Sequence, residues 1–445
     1  MAPNIVFFFS DQQRWDTLGC NGQKAGVPVT PRLDSFARED ATNFANCFTP
    51  QPVCGPARAM LQTGLYPTQV GCFRNAISLP VEQKTIAKSM REAGYEVAYV
   101  GKWHLASDRG GDSYATMPVP VERRGGYEGF WRVSDVLEFT SHGYGGYIFD
   151  EKGNKLEFDG YRTDCITDQA LEFIENYKDD KPFFLFISHI EPHHQNDTKD
   201  YEGPIGSKKR FKNYAAPPDL EPGKGDWEQF YPDYLGCCNA LDINFGRVID
   251  SLKARGFYDD TMLIYASDHG CHFKTHSDEV VGGYDDYKRN SFDNTIHVPL
   301  LIKGPGFEPG KREDKVVSLI DLPKTMMTAA GCQIDSGIQG RALQEVGKTD
   351  WEEMAYIQIS ESYMGRALRS DRYKYVVYAP DKDPVNDSGS DIYRERYLFD
   401  LQKDPLEKSN VLKNAEYAQI REAMRKRLIQ FAAQAQEGVI QIVEE

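Results

Sequence analysis

Short apolar runs alternate with stretches of helical periodicity over the first two-thirds of the chain. Residues 5–9, 95–100, 183–188, 262–267 and 298–302 are β-branched or aromatic and bounded by polar residues or glycine, which is the pattern of strands. Between them the spacing predicts helices. Residues 85–93 stop at Gly94, a natural end for a helix. Residues 164–177 carry Ile166, Ala170 and Ile174 on one face. Residues 235–255 carry Cys238, Leu241, Phe245, Val248 and Leu252, and stop at Gly256. This alternation predicts an α/β fold with a largely parallel sheet flanked by helices. Near residue 330 the texture changes. A strand pair is expected at 366–378 around Ser370-Asp371-Arg372, a strand at 397–401 and a long charged amphipathic helix at 415–436. The expected division is a catalytic α/β unit over 1–330 and a smaller α+β unit with a small antiparallel sheet over 331–445. Segments 106–130 and 196–228, rich in glycine, proline and charge, read as long surface loops.

Charge narrows the function. The 445 residues carry a formal net charge of -15, which argues against a nucleic-acid partner. It also means that an anionic substrate would have to be captured by a local positive focus. No apolar run reaches the ~20 residues that span a membrane, so no membrane partner is expected. Met1-Ala2-Pro3-Asn4 leads straight into the first strand without a basic stretch or cleavage site. The chain as given is therefore expected to be cytoplasmic, although a trimmed leader would look the same. The nine cysteines are odd in number and irregularly spaced, without a C-x-x-C pair. Reduced thiols are expected, and a zinc ribbon is not. Oligomeric state is not legible.

In a parallel sheet, ligands bind beyond the carboxyl ends of the strands. Here those ends are followed by Asp11-Gln12, by Gly101-Lys102-Trp103-His104, by His189 and Pro192-His193-His194, and by Asp268-His269-Gly270. Seven of the nine histidines (His104, His189, His193, His194, His269, His272 and His276) lie in or just beyond these clusters. The sharpest local feature is Cys54-Gly55-Pro56-Ala57-Arg58, running on to Thr63-Gly64. Pro56 suits a first helical turn and Gly64 a helix end, so Cys54 stands at a helix N-terminus, where an anion is favoured. The residues alone leave two readings, a buried structural cysteine or a low-pKa thiolate nucleophile.

The C-x-P-x-R segment with its helix and Thr63-Gly64 resembles the signature of the formylglycine-dependent sulfatases, of the alkaline phosphatase-like superfamily. Asp11-Gln12, Gly101-Lys102-Trp103-His104, Pro192-His193, Asp268-His269-Gly270 and Lys288 ahead of Val298-Pro299 resemble the family's other elements, in order. The resemblance implies an alkaline phosphatase-like sheet and a sulfuric ester hydrolase whose Cys54 is oxidised to formylglycine by a maturation enzyme. It implies metal binding by Asp11, Gln12, the Cys54 position, Asp268 and His269, with calcium expected first and magnesium or manganese as alternatives. It also implies the catalytic roles. A hydroxyl of the formylglycine hydrate attacks sulfur, with Asp268 as proton acceptor. His193 and Lys288 protonate the leaving group, and His104 takes the remaining hydroxyl proton. Arg58 and Lys102 hold the hydrate and the sulfate oxygens. The chain has Gln12, Ala57 and His269 where family members commonly have Asp, Ser and Asn. The runner-up activity is a phosphonate monoester or phosphodiester hydrolase of the same superfamily. A non-catalytic anion-binding protein with unmatured Cys54 is a third reading.

The substrate is expected to be a small sulfated sugar, attacked at a terminal residue. The long loops could wall a pocket, and His142, Tyr144 and Tyr147 are candidates to contact the ring. The remaining candidates have plain readings beside them. His272 and His276 stand four apart and could bind zinc on a helix, but their flanks suggest a loop. Lys288-Arg289 taken alone is a solvated basic pair, and Asp285-Asp286 an exposed acidic turn.

Overall fold

The computed structural model describes residues 2–24, 26–348 and 350–444. Its main sheet has eleven strands: β1 (Asn4–Ser10), β2 (Thr42–Phe48), β3 (Glu96–Lys102), β4 (Trp131–Ser134), β5 (Tyr144–Phe149), β6 (Lys155–Tyr161), β7 (Phe183–Ser188), β8 (Thr261–Ser267), β9 (His297–Val298), β10 (Leu300–Lys303) and β11 (Arg312–Ser318). They lie in the order β11-β2-β10-β8-β1-β7-β3-β4-β5-β6, with β9 on β2. The centre, from β8 through β1, β7 and β3 to β4, is parallel. Strand β10 runs antiparallel between β8 and β2. The expected strand at 298–302 is split, because Pro299 cannot donate to a ladder and separates β9 from β10.

Both faces of the centre are covered. Along β1, Ile5, Phe7 and Phe9 enter one core while Val6 and Phe8 enter another on the opposite face. Helices Arg162–Asn176 and Trp227–Ala254 fill the second core through Ile166, Ala170, Leu241, Phe245 and Val248. The latter helix starts eight residues earlier than the periodicity suggests and carries Pro232 inside it.

A second sheet follows: β12 (Met354–Ile359), β13 (Gly365–Ser370), β14 (Tyr373–Tyr378), β15 (Ile392–Asp400) and β16 (Gln441–Val443), antiparallel except for the last pair. Helix Ala418–Gln434 covers it through Met424, Leu428 and Ala432. This sheet shares its core with the main one, for Tyr356, Leu368 and Tyr375 belong to the same buried cluster as Met60, Leu61 and Phe186. No helix among the described residues is long and apolar enough to cross a membrane, and all nine cysteines are free thiols.

Candidate active site

The strand register sets the site. Ser10 lies opposite Ser267, Phe9 opposite Ser188, and Ser188 opposite Gly101, so four parallel strands end level with one another. The residues that follow must therefore share one edge. Cys54 reaches that edge from helix Cys54–Thr63, which starts after the extended Val53 and ends at Gly64, with φ 68°. The Gly64 N–H donates to Met60 O at 2.7 Å, and the Gly55 N–H at the helix start donates to Asn75 Oδ1 at 2.8 Å.

Around Cys54 Sγ lie Asp11 Oδ1 at 3.3 Å, His269 Nε2 at 3.2 Å and Lys288 Nζ at 3.3 Å. Asp11 Oδ2 accepts from Arg58 Nη2 at 2.9 Å and from Lys102 Nζ at 2.7 Å. Arg58 is fixed further by donating to Ser188 Oγ and Lys102 O, at 2.6 and 2.8 Å. Lys288 Nζ donates to His193 Nε2 at 2.8 Å, while His193 Nδ1 faces His194 O at 2.6 Å. His104 lines the same cleft, and its Nδ1 has no protein partner. Thus Cys54, Arg58, Lys102, His104, His193 and Lys288 converge, although they come from four separate segments. The Lys288-Arg289 pair is buried, contrary to a solvated reading.

Electrostatics follow from burial among charges. Burial alone would raise the Cys54 thiol, but Lys102, Lys288 and His269 outweigh it and hold its pKa well below the ordinary thiol value. Burial likewise opposes ionisation of Asp11, yet Lys102, His193 and Arg58 keep it below the usual carboxylate range. Asp268 is pushed up to about 7 by burial and by the neighbouring Asp11. Burial disfavours a charged His269, but Asp268 and Cys54 raise it.

Donor atoms of Asp11, Cys54, Asp268 and His269 all lie within 4.8 Å of one another, and all four residues are buried. Asp268 Oδ2 has no hydrogen-bond partner. His269 Nδ1 sits 3.0 Å from Gly270 O, which assigns the proton to Nδ1 and leaves Nε2 free to ligate. Two crowded carboxylates, one with an unspent oxygen, fit a divalent cation. Gln12 differs from the other expected ligands. Its φ is 68°, its N–H donates to Asp268 Oδ1 at 2.9 Å, and its amide oxygen accepts from His194 N at 3.3 Å.

Other candidates fall elsewhere. His189 is a core residue, its ring tilted against Phe8 at 4.6 Å. His272 Nε2 pairs with Asp285 Oδ1 at 2.6 Å, and His276 lies flat on Phe292 at 3.9 Å, so neither joins a metal cluster among the described residues. Asp286, expected as an exposed turn, instead contacts Lys288 at 3.3 Å and Arg289 at 2.9 Å. His142 pairs with Glu202 and Asp197, Tyr144 packs on Tyr161, and Tyr147 lies under Lys155; none of the three lines the cleft. The cleft, about 470 Å³, is walled by Ser107, Asp108, Ser113 and Ala115 of the 106–130 loop and receives Asn196 from the other long loop. Most of 196–228 packs instead against the long helix, through Tyr201, Phe211 and Leu220. Residues that the pattern gave no reason to select are Glu138, Ser188, Asn75 and Glu361, whose neighbours are distant in sequence.

A mixed, largely parallel sheet flanked by helices and followed by a smaller, mainly antiparallel sheet is the alkaline phosphatase-like fold. The Sulfatase family model matches residues 3–332, and a second, described as N-sulphoglucosamine sulphohydrolase, C-terminal, matches residues 282–434. The chain belongs to the sulfatase family and is a sulfuric ester hydrolase. It is 29% identical to an ulvan-active sulfatase of Formosa agariphila, over 93% of this chain and 78% of that one. It is 26% identical to an N-acetylglucosamine-6-O-sulfatase of Bacteroides thetaiotaomicron, over 94% and 84%. An enzyme solved with its substrate D-glucosamine-2-N,6-O-disulfate has the same fold, with a TM-score of 0.77 at 22% identity over 98% and 99% of the two chains.

Proposed function

We propose that this sulfatase removes sulfate from a terminal sugar of a carbohydrate, with a formylglycine made from Cys54 as nucleophile. The observation that carries the reading is the ring of buried cations, Arg58, Lys102 and Lys288, around position 54 in a chain of net charge -15. A sulfate monoester is captured by that local field against the global one. Formylglycine supplies a hydrated aldehyde whose hydroxyl attacks sulfur. A divalent cation, calcium first and magnesium or manganese as alternatives, would supply Lewis acidity toward a sulfate oxygen and the nucleophilic hydroxyl. Asp11, Asp268, His269 and the position-54 group would hold it, with Gln12 as a further oxygen donor if its amide turns from His194.

The chain's own groups do the rest. Arg58 and Lys102, both anchored on Asp11, orient the sulfate oxygens. Asp268 accepts the proton of the attacking hydroxyl. Lys288 shares an N–H with His193 Nε2, so the pair holds one mobile proton at the edge where the sugar oxygen departs. His104 would take the proton of the second hydroxyl as the C–O bond to sulfate breaks and sulfate leaves. Cys54 is 1% exposed, so its maturation enzyme must meet it before the chain folds. A cleft of about 470 Å³ suits a single sugar, and the relative named for N-acetylglucosamine-6-O-sulfate supports that class.

The test combines peptide mass at position 54 with sulfate and phosphonate monoester assays. Formylglycine, a preference for sulfate and loss of at least ~10³-fold activity in Cys54→Ala are expected. Wild-type turnover by Cys54→Ala would sink the mechanism, and a better phosphonate substrate would reassign the enzyme.

A further inference from the structure

The cleft wall beside His193 includes the helical turn Leu137–Thr140. Leu137 and Thr140 of this turn are buried, while Glu138 and Phe139 line the cleft. Phe139 is 60% exposed. One exposed aromatic residue means little by itself. Its neighbour gives it meaning.

Glu138 is 9% exposed and has no lysine or arginine within ion-pair distance among the described residues. The other acids around the site do: Asp11 has Arg58 and Lys102, Asp286 has Lys288 and Arg289, and Glu361 has Arg289. Glu138 Oε1 accepts from Asn196 Nδ2 at 3.2 Å. Its Oε2 is 3.5 Å from His193 Nδ1, which His194 O already engages at 2.6 Å. One carboxylate oxygen thus keeps hydrogen-bonding capacity toward the cleft, where burial without a partner is costly. Tyr284, 45% exposed, lines the same cleft, its ring backed by the Arg289 guanidinium at 4.6 Å.

A carboxylate that shares a cleft with exposed aromatic rings complements a sugar ring. The ring's C–H face stacks on the aromatic residue, and its hydroxyl or amino groups donate to the carboxylate. A uronic acid would instead bring a second carboxylate against Glu138, in a site of low dielectric. We propose that Glu138 and Phe139 form the leaving-sugar subsite and select sulfated neutral or amino sugars against sulfated uronic acids. This rests on the sulfatase reading above. The competing role for Glu138, orienting His193, would affect every substrate alike.

The experiment uses the matured enzyme and methyl galactoside and glucoside sulfates, each paired with its uronic acid sulfated at the same carbon. An aryl sulfate serves as reporter. Wild type should favour the neutral member by at least about tenfold in kcat/KM, since a tenfold ratio needs only ~1.4 kcal/mol. Glu138→Gln should bring the pair to within about threefold, because the amide keeps a hydrogen-bonding group but loses the charge. Phe139→Ala should raise KM for the neutral sugar by about tenfold with little change in kcat, as expected for uniform binding. Equal or better use of the uronate by wild type would overturn the proposal. So would a Glu138→Gln loss that is uniform across the set, which would assign the residue to His193. Cleavage of the aryl sulfate alone, with every sugar neither cleaved nor inhibitory, would overturn the subsite. No cleavage of any sulfate by formylglycine-bearing protein would overturn the sulfatase reading beneath it.

Discussion

At the scale of single residues, histidines of one sequence cluster do opposite work. His193 projects into the cleft against Lys288, whereas His189, four positions earlier, is sealed in the core. Burial pushes the His189 pKa down to about 4, against the help of Glu191. A histidine depressed in the folded state is neutral there and charges on unfolding, so the unfolded chain binds the extra proton between the two pKa values. Its contribution is complete above the unfolded value of ~6.5 and is lost as pH falls toward 4. His189→Asn should therefore remove about 2 kcal/mol of the stability loss between pH 7 and pH 5, compared with wild type in denaturant titrations. An unchanged difference would mean that His189 is not held neutral. For His193, the expected readout is chemical. His193→Ala should slow alkyl sulfates by ~10²-fold or more and aryl sulfates with good leaving groups much less, since a general acid matters most when the departing oxygen is basic. Equal losses would make His193 a sulfate-binding group.

At the scale of elements, the loop that carries Lys288 is held from the C-terminal sheet. Asp286, Tyr287 and Arg289 have φ of 63°, 65° and 74°, a left-handed stretch that costs energy in non-glycine residues. Glu361, in the turn between β12 and β13, accepts from Arg289 Nε at 3.1 Å and from the Tyr284 hydroxyl. Its backbone O accepts from Tyr284 N at 2.7 Å, and Ser362 O from Val281 N at 2.8 Å. The C-terminal unit thus clamps the Lys288 loop, which makes Glu361 a candidate positioning residue. Glu361→Gln leaves the buried Arg289 one partner short and should cost on the order of 3 kcal/mol. In protein that remains folded, kcat on an alkyl sulfate should drop by about tenfold while KM stays within about twofold. A fall in stability without the kcat loss would make the contact purely structural.

At the scale of the whole molecule, the candidate metal site ties two strand ends, those of β1 and β8, to the Cys54 helix. Donor atoms of Asp11 and Asp268 lie within 4.8 Å of each other in a buried site, where burial first and Asp11 second push Asp268 up to about 7. Ion binding should therefore stabilise the fold as well as the activity. Chelation should lower Tm, and calcium at 100 times its Kd should restore about 2.7 kcal/mol by mass action. A Tm independent of chelator and of added calcium, magnesium or manganese would reject the site.

What the chain encodes locally was legible because local physics decides it. The central strands are continuous apolar runs, since a parallel sheet is buried on both faces. The Cys54 helix shows both of its ends in Pro56 and Gly64. The clusters after β1, β3, β7 and β8 betray the ligand edge before any contact is known. Other elements had no such period. Strand β2 carries Thr42, Asn43 and Asn46 and is still buried at every position but Asn46, because Asn43 reaches Asn21 and Thr42 reaches the backbone of Glu308. Edge strand β11 hides behind four charged residues that face solvent in alternation. Contacts between distant segments were decided only by tertiary structure: Glu361 on Arg289, Glu138 beside His193, and Gln12 turned to His194. Each depends on where the sheet register sets two loops side by side, and a one-dimensional pattern carries no information about that spacing. The same reason separates His189 from His193, which share one segment yet stand on opposite sides of the boundary between core and cleft.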